Sequence, residues 1–77
     1  MSINEEMGCN IVSIRKEKRI SQEQLALNSD VSVSYLRSIE HGAANPSIKV
    51  LSSLAKTLGT SLNSIIVTRE GGKADWL

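Results

Sequence analysis

From Ser21 to Lys49 the chain spaces hydroxyls, amides and cations with the turns of a helix. Ser32, Val33, Ser34, Arg37 and Ser38 fall on one outward face, four small side chains around a long cation. A helix with such a face can lie deep in a groove about 12 Å wide. There a guanidinium can grip guanine O6 and N7 together, a hydroxyl can serve several bases, and a valine can meet a thymine methyl. Arg19, Ser21, Gln22, His41, Asn45 and Lys49 flank this face with groups suited to phosphate oxygens, although a surface lysine such as Lys49 is as readily just solvated. Catalysis has no comparable set. There is one His and one Cys, no Gly-rich phosphate loop occurs, and no nucleophile and base can be assembled. No enzyme activity and no cofactor are expected, and His41, with no cluster of Cys, Asp or Glu around it, implies no metal site.

Two short helices and a turn must position these groups. Leu25, Val31, Leu36 and Ile39 are apolar where two short amphipathic helices read within Gln22 to His41, the second from Val33 to about His41, face a core, and Ala26 is small where the two cross. The turn falls at Asn28-Ser29-Asp30, where Asp30 can supply a left-handed residue that Gly would supply more cheaply. Ser21 caps the first of these helices, with Gln24 placed to complete a capping box, and Ser32 caps the second.

The flanking segments continue the helical pattern. Met7, Ile11 and Ile14 give a helix from about Met7 to Lys18, with Arg15, Lys16, Lys18 and Arg19 at its C-terminal end, where cations suit the dipole. Residues 1–6 carry no pattern and are expected to be flexible. Gly42 to Pro46 reads as a loop, and Ser47 caps a fourth helix, Ile48–Leu58, with Val50, Leu51, Leu54 and Leu58 inward. Gly59 ends it. Ser61 opens a fifth, to about Val67, that turns Leu62 and Ile65 inward and leaves Ile66 and Val67 on an outer face. The expectation is an all-α domain over 7–67 and a tail, 68–77, that is flexible or carries Trp76 into a contact between copies.

At 77 residues the chain has room for one domain with a small core, so self-association is expected. The lone Cys9 excludes an intramolecular disulfide and reads as a small packing residue. Nothing resembles a signal peptide or a membrane span, which implies a cytoplasmic protein with no membrane partner. The net charge is +1, but from Asn10 to Val67 there are seven Lys or Arg against four Asp or Glu. Any binding of polyanions should be local.

The strings Asn10-Ile-Val-Ser-Ile-Arg-Lys-Glu-Lys18, Ser21-Gln-Glu-Gln-Leu-Ala26, Val31-Ser-Val-Ser-Tyr-Leu-Arg-Ser-Ile-Glu40, Asn45-Pro-Ser-Ile48 and Leu54-Ala-Lys-Thr-Leu-Gly59 occur in order. At these separations the chain, over about residues 8–67, resembles the lambda-repressor-like helix-turn-helix family of Cro and repressor type (XRE). It departs from the pattern at Ser29, where an apolar residue is usual, and at Asp30, where Gly is usual. Both departures are expected to loosen the turn.

The resemblance implies a compact five-helix domain that binds double-stranded DNA, with Ser32, Val33, Ser34, Arg37 and Ser38 at base edges and Gln22, joined by Ser21, on a phosphate. It also implies that Arg15 pairs with Glu40 to orient the reading helix; an exposed pair would contribute little. Tyr35 stands at the edge of the buried face, where its ring can simply pack or its hydroxyl can also reach a phosphate. A small regulator like phage repressors and restriction-modification controllers would act as a homodimer on a pseudo-palindromic operator, through Ile66, Val67 and Trp76. RNA polymerase is a further partner in that reading. The alternative is an antitoxin-like module that covers a toxin protein and binds DNA secondarily.

Overall fold

Every helix begins at a serine. Ser2, Ser21, Ser32, Ser47 and Ser61 take extended backbone, and each side chain accepts the N–H three residues on. Each thereby satisfies a donor that the first helical turn leaves without a partner. The computed structural model describes residues 2–67, which form five α-helices and no strand: α1 (Ile3–Glu17), α2 (Gln22–Asn28), α3 (Val33–Glu40), α4 (Ile48–Leu58) and α5 (Leu62–Ile66).

The first helix starts four residues before the Met7 suggested by apolar spacing, so residues 3–6 are helical and not a loose end. The cause is a reciprocal capping box. Ser2 N–H donates to Glu5 Oε1 at 2.8 Å and Glu5 N–H to Ser2 Oγ at 3.1 Å. The first of these bonds holds the Glu5 carboxyl below its ordinary pKa. Ser2-Ile3-Asn4-Glu5 is the S-x-x-E signature of such a box, a local signal that apolar periodicity passes over. At α2 the bond runs one way: Ser21 Oγ accepts the Gln24 N–H at 3.0 Å, a simple cap where a box was expected.

The helix ends share one device. Arg19, Asp30, Gly42 and Gly59 lie at φ between 60° and 76° just beyond α1 to α4, and the next residue's N–H returns to a carbonyl five back. Asp30 thus supplies the left-handed turn residue, and Arg19 does so between α1 and α2.

Met7, Ile11, Leu25, Ala26, Leu36, Ile39, Leu51, Leu54, Ala55, Leu58 and Ile65 make one core to which all five helices contribute, with Ile14, Val31, Val50 and Leu62 half-buried against it. α1 packs against α3 on one side and α5 on another, while α2 packs on both α3 and α4. Ile66 differs from expectation. It is half-buried and packs against the core, leaving Val67, at 39% exposure, as the more open of the pair. The tail, with Trp76, lies outside the described residues. Among those residues no helix is long and apolar enough to cross a membrane.

Candidate nucleic-acid interface

α3 shows two faces. Leu36 and Ile39 are buried, while Ser34 and Arg37, three residues apart and so on one stripe, are exposed together with the cap residue Ser32. Val33, Tyr35 and Ser38 are half-buried, and Val33 and Tyr35 pack against the core. The Ser32 oxygen accepts the Tyr35 N–H at 3.0 Å, which leaves its proton and one lone pair to offer. The Arg37 side chain makes no hydrogen bond or ion pair with any described residue.

The orientation of this helix is set at its two ends. At the C-terminal end Glu40 accepts Arg15 Nε at 2.8 Å, Arg15 Nη2 at 3.1 Å and Gln22 Nε2 at 2.9 Å. The two charged side chains are 13% and 6% exposed, and Arg15 Nη1 also donates to Ile20 O at 3.1 Å. This is a bidentate, nearly buried pair with a neutral third member. Sequence reasoning placed Gln22 on a phosphate and missed its turn toward Glu40; one of its two amide protons is committed there.

Gly8 was missed as well. A Cβ there would stand 2.5 Å from Glu40 O and 2.6 Å from Ile39 O, so only hydrogen lets α1 run this close to the end of α3.

At the other end the turn is tied to α4. Ser29 is 3% exposed, and its Oγ donates to Thr57 Oγ1 at 2.9 Å. Ser53 Oγ donates to Ser29 O at 3.0 Å and Thr57 Oγ1 to Asn28 O at 3.3 Å. Ser29 therefore fastens the turn where the sequence suggested that it loosens it. Thr57 and Ser53, four residues apart on one face of α4, were the available signal.

A helix-turn-helix family model matches residues 11–65. The chain belongs to the helix-turn-helix family. Control protein C.SmaI of Serratia marcescens is 38% identical over 73 residues, 95% of this chain and 86% of that protein. The immunity repressor protein of Bacillus phage phi105 is 40% identical over 60 residues, 78% of this chain, which spans 42% of the repressor's length. Among solved structures, the restriction-modification controller protein C.AhdI from Aeromonas hydrophila matches with a TM-score of 0.79 at 29% identity, over 80% of this chain and 94% of that one. The fold is thus lambda-repressor-like, and the chain is a transcriptional regulator with a helix-turn-helix DNA-binding domain, from a family of regulators and not of enzymes.

Around α3 of this helix-turn-helix domain the remaining polar candidates are mostly in solvent. Arg19, Ser21, His41, Asn45 and Lys49 are exposed, in the α1–α2 turn, at the cap of α2, and from the end of α3 into the first turn of α4. Arg15 is the cation that is not free in this way, since Glu40 and Ile20 engage it.

Proposed function

We propose that the protein binds a pseudo-palindromic duplex as a homodimer, each copy laying α3 in the major groove. The observation that carries this is the contrast between two charged residues one turn apart. Glu40 accepts three hydrogen bonds from Arg15 and Gln22, whereas the Arg37 side chain is exposed and unpaired among the described residues. Arg37 is assigned to a guanine, with Ser34, the Ser32 proton and the open edges of Val33 and Ser38 beside it. Arg19, Ser21, His41, Asn45, Lys49 and the second Gln22 proton supply backbone contacts, and the Tyr35 ring packs while its hydroxyl faces the strand.

The two-fold contact is assigned to the end of α5, where Val67 and the open part of Ile66 offer apolar surface on a domain with a small core. It would hold two reading helices roughly 34 Å apart. Relatives named as a controller and a phage repressor favour this reading over a toxin-binding module.

Fluorescence anisotropy on duplexes selected from a random pool tests it. Log affinity should fall with log salt at about 0.9 per phosphate neutralised, and Arg37→Ala should lose about 1–3 kcal/mol on the selected site while relaxing one position per half-site. Full discrimination retained by Arg37→Ala would remove α3 from the groove.

A further inference from the structure

The reading helix and the proposed dimer contact are joined through α1. It packs on α3 and on α5, and no comparable packing joins α3 to α5 directly among the described residues. At about 100° per residue, Gly8 and Arg15, two turns apart, lie on one side of α1, and both meet the end of α3. Asn10 lies roughly 200° round the helix from Gly8 and meets α5.

Its side-chain amide donates both protons across the fold, to Ile65 O at 2.8 Å and to Val67 O at 2.7 Å. These carbonyls end a helix of five residues, too short to hold a direction of its own. Val67 then leaves in extended backbone.

We infer that Asn10 is a positioning residue for operator recognition: by fixing the end of α5 against α1, it sets the separation of the two α3 helices and hence the spacing of half-sites the dimer accepts. This rests on the dimer reading above. Ile65 anchors α5 in the core whatever Asn10 does, so losing the amide frees the angle of the helix end and leaves the domain folded.

The test uses the full chain and duplexes selected by the wild-type protein from a random pool, resynthesised with one or two base pairs added or removed at the centre. Each added pair moves the half-sites roughly 3.4 Å apart and also rotates them. The wild type should prefer one spacing by about tenfold or more, and Asn10→Ala should remain a dimer in sedimentation, keep its half-site sequence preference, and discriminate spacings by about threefold or less.

A uniform loss on every spacing, with the wild-type ratio between them, would overturn the inference, because that is what a residue serving stability alone produces. A folded Asn10→Ala monomer would overturn it too, making Asn10 part of the contact. Should Asn10→Ala not fold, Asn10→Gln keeps both donors one methylene farther out; a broadened or shifted profile supports the inference and an unchanged one counts against it. Binding of wild type as a monomer to a duplex with both half-sites would instead defeat the dimer reading itself.

Discussion

Where α3 meets α1, a carboxylate accepts three hydrogen bonds, two of them from a guanidinium, with little access to water. Where the α2–α3 turn meets α4, the bonds run among hydroxyls and carbonyls, and none carries a charge. Both junctions fix the same reading unit, one at each end. They differ in what failure costs. Two desolvated charges stabilise each other only while both are present, so loss of one leaves the other buried and unpaired. A hydroxyl network gives up about one bond at a time. The charged junction therefore makes the direction of α3 nearly all-or-none, and the neutral one adjusts the turn in small steps.

Urea melts can break or sharpen this contrast. The largest effect is expected from Glu40→Ala, about 3–5 kcal/mol, because Arg15 is left at 13% exposure without its anion. A loss under about 1 kcal/mol would mean that water screens the pair and that the two junctions are alike. Next comes Gly8→Ala, about 1–3 kcal/mol, since the added methyl meets two backbone carbonyls that no rotamer change can move. Its effect should be non-additive with Glu40→Ala, as the two act at one contact.

Ser29→Ala should cost only about 1 kcal/mol, with operator preference intact. A loss as large as that of Glu40→Ala would erase the distinction between the two ends. The smallest change is a gain: Asp30→Gly should add about 0.5 kcal/mol, relieving a side chain at φ 60° against the greater entropy of glycine in the unfolded chain. A loss on that substitution would show that the Asp30 side chain contributes a contact of its own.

The parts of this molecule that depend on neighbours along the chain could be read without coordinates. Four of the five serine caps, the left-handed Asp30 and the inward stripes of α2, α3 and α4 follow from interactions three or four residues apart, which spacing reports directly. The same kind of signal marked Ser2 and Glu5, where an eye on apolar residues alone passed over it. Arg15 and Glu40, 25 residues apart, were paired through family resemblance and not by spacing.

The sequence by itself determined the five helices, the turn between α2 and α3, and the polar face with Arg37 at its centre, because helical period and capping are local physics. The tertiary structure decided what each polar group has left to give. It turned Gln22 onto Glu40, locked Ser29 to Thr57, drew Ile66 toward the core and spent both protons of Asn10 on carbonyls 55 and 57 residues away. Such partners are chosen by which helices cross and how closely, as the hydrogen beside Glu40 at Gly8 shows, and no periodicity along the chain encodes a crossing.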